Sequence, residues 1–196
     1  MPIPSLVLDP PFNVTRISHV TLTVRDIEAS IRFYSDVLGF VVSDVDGGSV
    51  YLRGLEEGCH HSLVLRQAES VPVCQAVGFR VQTEVDLECA KAYFDRRRVR
   101  SEWCELAYQG KTLRLADASG SPIELCAAMD NVPRLMQSFE KFHGGSPQRL
   151  DHVQIAAPNV QVVTDFYATL GFRLTEYTAR DGRIVGCVAP AKGKPP

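Results

Sequence analysis

The stretch "RISHVTLTV" alternates imperfectly between apolar and polar positions, but its composition strongly favours β structure and predicts a strand from about Arg16. The period then changes. Ile27, Ile31, Tyr34 and Leu38 follow at spacings of four, three and four, the stripe of an amphipathic helix of about three turns. Asp26 is placed to cap its start, and Gly39 to end it in a left-handed conformation. Three β-rich runs come next, "FVVSDV", "SVYLRGL" and "HHSLVLRQ", separated by turn residues such as Asp46-Gly47-Gly48. The order is β-α-β-β-β.

The order recurs at "AVGFRVQT", where Thr83 is the candidate cap of a helix carrying Leu87, Ala90 and Phe94, and Arg96-Arg97-Arg98 reads as its solvated end. "SEWCELAY", "KTLRLADA" and "PIELCAA" supply three more strands, with Glu102, Trp103 and Glu105 in solvent-facing alternation. "NVPRLMQSFEKFH" reads as a helix and "GGSPQ" as a linker. At Arg149 the pattern starts a third time. With His19 set against His152, Val20/Val153, Phe33/Phe166, Tyr34/Tyr167, Leu38/Leu170, Gly39/Gly171 and Phe40/Phe172 are identical, with one residue deleted before the leucine. Asn159 takes the capping position of Asp26, and "HVQIAA" the position of the first strand. This copy is expected to stay incomplete: one strand, a turn at Arg180-Asp181-Gly182, room for a second strand, then a tail rich in Pro, Lys and Gly that cannot continue a central strand. The domain reading is an arm at 1–15, two modules at 16–130, a helix and linker at 131–148, and the start of a further domain at 149–196.

A formal net charge of -2 gives no field to gather nucleic acid or anionic lipid, so neither nucleic acid nor membrane is expected as a partner. No window approaches the roughly 20 apolar residues of a membrane span, and the proline-punctuated N-terminus lacks a signal-peptide pattern. The six cysteines show neither a C-x-x-C pair nor zinc-finger spacing. A cytoplasmic protein is the expectation.

The repeated "H-V-x-[LI]…FY…LGF" unit, together with "GSPIELC" at Gly120 to Cys126, resembles the vicinal oxygen chelate superfamily. Within it, "SVYLRGLEEGCHHSLVLRQ" and "RLDHVQIAAPNVQVVTDFYATLGFRLTEYTARDGRI" resemble type I extradiol dioxygenases of the catechol 2,3-dioxygenase and homoprotocatechuate 2,3-dioxygenase kind. The resemblance implies an α+β fold of paired βαβββ modules, the glyoxalase/bleomycin resistance/extradiol dioxygenase fold. It also implies an enzyme that opens a catechol ring with O2 at a non-haem Fe(II), or at Mn(II), held by two histidines and a carboxylate. His152 matches the first ligand. The second histidine and the carboxylate have no counterpart in this chain, so little or no activity is expected of it, and metal binding by one imidazole would be weak. Asp151, beside His152 on a strand, would face away from it.

The first two modules offer a vestigial or alternative site: His19 matches the first ligand position and Glu124 the carboxylate, while Ala76 stands where the second histidine is expected. His61 or its neighbour His60 is a substitute, with one of the two expected to point inward from a loop-to-strand junction. A buried polar pair is the simpler account of His19 and Glu124. Two other readings stay open: a metal-free ligand-binding or resistance module, and a glyoxalase-type isomerase using His19, one of His60/His61 and Glu124. An unfinished module would leave an unpaired sheet edge, which points to a homo-oligomer.

Overall fold

The computed structural model describes residues 3–191. Its chain forms two compact units, one made of Ser18–Gly78 with Met129–His152, the other of the chain up to Ile17, Phe79–Ala128 and the chain from Val153 on. The strands β1 (Val14–Val24) and β5 (Cys74–Val81) each run from one unit into the other.

In the first of these units, α1 (Ile27–Arg32) starts where Asp26 accepts the Ala29 N–H and widens into a π turn at Phe33–Val37. Gly39 then takes a φ of 86°, which a side chain would resist. The hairpin β2 (Val41–Asp46) and β3 (Ser49–Arg53) closes through Gly47 and Gly48, both at positive φ, as a tight hairpin turn requires. β4 (Leu63–Gln67) pairs antiparallel with β3 and parallel with β1, from Val20 opposite Leu63 to Val24 opposite Gln67. The sheet segment of this unit therefore has the order β2-β3-β4-β1.

Val50, Leu52, Leu63 and Leu65 form the core of this unit, and Leu22, Val24, Ile27, Ile31, Tyr34 and Phe40 pack against them. Leu22 and Val24 thus turn one face of β1 to the helix. Strand alternation sends His19, Thr21 and Thr23 to the opposite face, where all three are buried.

The helix expected over 131–143 is not formed; among these residues only Phe139–Lys141 make a short 3-10 turn. One amide that a helix would need is spent elsewhere, Leu135 N–H on the carbonyl of Leu55, and Val132 N–H at the start of the stretch donates to that of Gly58. Met136 and Phe139, the apolar positions of the expected stripe, are exposed. A helix this short gains its stability from burying such a face, and here the face finds nothing to bury against.

In the other unit, β6 (Ser101–Leu106), β7 (Gly110–Ala116) and β8 (Pro122–Cys126) form an antiparallel meander in the order β8-β7-β6. α2 (Glu84–Arg96) opens with a reciprocal box between Thr83 and Asp86. The Asp86 carboxylate also accepts from the backbone N–H and the side-chain amide of Asn13, so the N-terminal arm is tied down rather than loose. Phe12 completes the attachment, buried with its ring 5.9 Å from those of Tyr93 and Phe94.

The third copy of the repeat keeps its helix, α3 (Val160–Thr169), capped by Asn159 and followed by Gly171 at a φ of 90°. It also keeps a hairpin, β9 (Glu176–Arg180) and β10 (Arg183–Val188), turning at Asp181-Gly182. The expected Pro- and Lys-rich tail falls largely at 192–196, outside the described residues. The first strand of this copy is absent: Leu150–Ala157 has no regular structure.

Burial works against ionisation of Asp86, but the hydrogen bonds from Thr83 and Asn13 outweigh it and hold the carboxyl below its ordinary value. The stability this adds is present above about pH 4 and is lost as pH falls through the lowered value. Asp86→Ala should cost about 2–3 kcal/mol in urea unfolding at neutral pH, and a stability–pH curve of the variant should lose part of the acid-side fall seen in the parent chain.

Candidate metal-ligand positions

The placement of the candidate ligands depends on the loop between β3 and β4. Residues 54–62 of this loop have no helix or ladder to satisfy their backbone, and a buried carboxylate does part of that work. Glu57 Oε2 accepts from the Gly54 N–H at 2.6 Å and from Ser62 Oγ at 2.6 Å, and its Oε1 accepts from the Leu150 N–H at 3.0 Å. Leu55 and Glu56 donate to the carbonyls of Pro147 and Gln148, and the buried guanidinium of Arg53 donates to the carbonyl of Glu57. The loop and the returning segment are thereby held together inside one unit.

This scaffold places His60 and His61. Cys59 bridges to Asn131, and His60 N–H donates to the carbonyl of Asp130, so the chain is not in strand alternation until β4 begins at Leu63. Both histidines are buried, which corrects the expectation of one inward histidine. Their Nδ1 atoms lie 3.2 Å apart, a contact in which one ring must donate and the other accept. Tyr51 packs on both rings, with centroids at 5.5 and 5.0 Å.

His19 is 1% exposed, with its ring centroid 5.4 Å from that of His61 and its Nδ1 3.2 Å from Ser18 Oγ. Its ring occupies the space beside Gly78 where a Cβ would come within 2.2 Å of it, so any other residue at 78 would displace the ring. Ala76, also buried, contributes no ligand atom. Burial pushes the His60 imidazole below its ordinary value; Asp44 and Asp130 oppose that shift, and Arg53 adds to it.

Glu124 is buried on β8 in the other unit, beside Arg114 on β7, whose Nη2 and Nε donate to Oε1 at 2.7 and 3.1 Å. This carboxylate is committed to an ion pair. His152 is the reverse case: its side chain is 87% exposed, in the irregular stretch after Leu150. Asp151, expected on an opposite strand face, is exposed as well and lies 3.4 Å from His152 Nδ1. The expected strand is not formed: among the described residues this stretch joins no ladder.

Among the described residues no group of three or more His, Cys, Asp or Glu side chains is arranged to hold a metal ion. The donor set therefore does not fit a complete two-histidine, one-carboxylate centre. The sequence reading missed Glu57 and Tyr51; "GLEEGCHH" carries adjacent carboxylates, and only the fold selects which one is buried.

The family described as Glyoxalase/Bleomycin resistance protein/Dioxygenase superfamily matches residues 16–125. That is more than half of the chain, and the chain belongs to this superfamily. It is 28% identical over 189 residues to a metapyrocatechase of Geobacillus stearothermophilus, covering 91% of this chain and 58% of that protein. It is 24% identical over 176 residues to a manganese-dependent 2,3-dihydroxybiphenyl 1,2-dioxygenase of Geobacillus genomosp. 3, covering 84% of this chain and 56% of that one. Among solved structures it is similar to homoprotocatechuate 2,3-dioxygenase of Brevibacterium fuscum in complex with 3,4-dihydroxyphenylacetate, at TM-score 0.88 and 34% identity over 97% of this chain and 60% of that one. The chain thus spans somewhat under two thirds of the length of each of these relatives. Among the described residues no helix is long and apolar enough to cross a membrane.

Two outcomes follow from the loop and its histidines. Glu57→Ala leaves three donors without their acceptor and should destabilise the chain by about 2–4 kcal/mol, read from urea unfolding, whereas Glu57→Gln, which keeps one carbonyl acceptor, should cost less. A histidine held below its unfolded value weakens the fold as pH drops below about 6.5, because the unfolded chain takes the proton more readily. Melting temperature should therefore fall on acidification from that point, and His60→Gln should flatten the slope.

Proposed function

We propose that the chain belongs to an extradiol ring-cleaving dioxygenase of catecholic substrates, acting in aromatic catabolism, and that by itself it has little or no activity. The observation that carries the reading is the likeness to homoprotocatechuate 2,3-dioxygenase across 97% of this chain, which spans the third module and its "RLDHV". Fe(II) is the metal we propose for the complete site, with Mn(II) as the alternative that the name of the manganese-dependent relative supports. His152 is its proposed first ligand, and its exposure leaves its ring nitrogens accessible to an incoming ion. No step of ring cleavage is assigned to the described residues, since they offer one such ligand rather than three.

The domain reading made from the sequence is proposed on the same footing, with 149–196 opening a catalytic-type domain. Catechol and O2 are the proposed partners, along with a second copy of the chain. The cytoplasm is the proposed compartment, supported by six cysteines that form no disulfide with one another. His19, His61 and Glu124 are proposed as a vestigial set, because Arg114 holds the Glu124 carboxylate and Ala76 offers no ligand.

The test has two arms. The purified chain, loaded anaerobically with Fe(II) or Mn(II) and given a catechol in air, should form no yellow ring-fission product; clear turnover would overturn the inactivity. A chimera in which residues 16–174 replace the matching part of the Brevibacterium fuscum enzyme should regain turnover and lose it on His152→Ala but not on Glu124→Gln. A folded, metal-loaded chimera indifferent to His152→Ala would sink the ligand assignment.

A further inference from the structure

The helices of the three copies close in the same way. The N–H of the residue just past each end returns to a carbonyl in the last turns: Phe40 to Tyr34, Val99 to Phe94 and Phe172 to Tyr167. The first of these bonds spans one residue more, because that helix widens into the π turn at Phe33–Val37. The residue inside each closure is left-handed, with φ of 86° at Gly39, 57° at Arg98 and 90° at Gly171. Arg98 shows that the closure can be made with a side chain present, so conformation by itself is an incomplete account of the two glycines.

What lies against each glycine supplies the rest. In the unit around Ser18–Gly78, a Cβ on Gly39 would collide with the carbonyl oxygen of His143 and come within 3.1 Å of the Ser146 nitrogen. Those two atoms close a turn, Ser146 N–H donating to the His143 carbonyl at 3.0 Å. The turn is also tied to the helix through its own residues: Nε2 of His143 donates to the Ser35 carbonyl at 2.8 Å, and a Cβ on Gly144 would collide with the Val37 carbonyl. In the other unit, a Cβ on Gly171 would come within 2.8 and 3.0 Å of Cβ and Cγ of Pro10, in the arm that Phe12 and Asn13 attach to α2. Gly120 is the contrast: its φ is also 86°, and nothing lies within 4 Å of where its Cβ would be.

We infer that the turn ending the helix in the first and third copies is a docking site for a connecting segment of the same chain: Gly39 receives the turn at His143–Ser146, and Gly171 receives the arm at Pro10. Each glycine is needed because a hydrogen in place of Cβ lets a backbone carbonyl or a proline ring pack directly on Cα. A methyl group there would add overpacking to whatever strain the left-handed conformation carries. The docked pieces are the arm by which the chain enters the first copy and the link by which it leaves the second. The Leu-Gly-Phe motif of the repeat thus fastens connections as well as ending helices.

Thermal unfolding and amide hydrogen exchange of the full chain test it. Gly120→Ala reports left-handed strain alone. Gly39→Ala and Gly171→Ala should lower the melting temperature further than Gly120→Ala does, and each should open its own segment. Exchange should rise about tenfold or more at the Ser146 amide in Gly39→Ala and at the Asn13 amide in Gly171→Ala. Pro10→Gly, which removes the ring, should speed Asn13 exchange in the parent chain and slow it in the Gly171→Ala background, a non-additive pair. His143→Ala, which removes the bond to Ser35, should speed exchange at Ser146 and leave Asn13 as in the parent. Glycine variants that match Gly120→Ala in melting temperature and keep both amides protected overturn the docking, since the glycines then serve the turn alone. A Ser146 amide indifferent to His143→Ala overturns it for the first helix, and an Asn13 amide indifferent to Pro10→Gly overturns it for the third, even where an alanine variant fails to fold.

Discussion

The arrangement of the unit around Ser18–Gly78 depends on one buried carboxylate. Glu57 lies in a loop that neither helix nor sheet can satisfy, and its two oxygens take donors from both ends of that loop and from Leu150, distant in sequence. A buried carboxylate is costly unless its lone pairs are used, and three donors use them. The same hub fixes the turn that puts His60 and His61 side by side and anchors the returning chain just before His152. Packing in the core of Val50, Leu52, Leu63 and Leu65 could be met by many apolar residues of suitable volume. The Glu57 position instead needs a side chain that offers acceptors to these three donors.

The repeat shows how the same residues reach different ends. Both copies make a capped helix ended by a glycine at positive φ, since a helix satisfies most of its hydrogen bonds within itself. The first strands diverge. β1 has β4 beside it and buries His19, while the copy at His152 joins no ladder among the described residues and leaves its histidine in solvent. Membership of the superfamily is therefore compatible with a chain whose described residues do not assemble a metal centre.

Much of the fold was legible in particular residues. Asp26, Thr83 and Asn159 marked helix starts, Gly39 and Gly171 helix ends, and Gly47-Gly48 a hairpin, because each acts through bonds or dihedral angles of its immediate neighbours. The 131–143 stretch misled for the opposite reason: its apolar spacing suits a helix, but the Leu135 amide was claimed by Leu55, far away in the chain. The candidate site was legible as residue types and not as an arrangement. His19, His61, Glu124 and His152 stood out by the repeat and the resemblance, yet nothing near Glu124 announced that Arg114 would hold it, or that His60 would be buried as well as His61.

The sequence by itself determined most of the local elements, their order and the recurrence of one module, since these rest on propensity, caps and periodicity within a few residues. Only the tertiary structure decided which of two adjacent glutamates became the internal anchor, which histidines were buried and which was exposed. Burial, strand pairing and the partners of a buried charge are set by residues distant in the chain, and no local pattern carries that information.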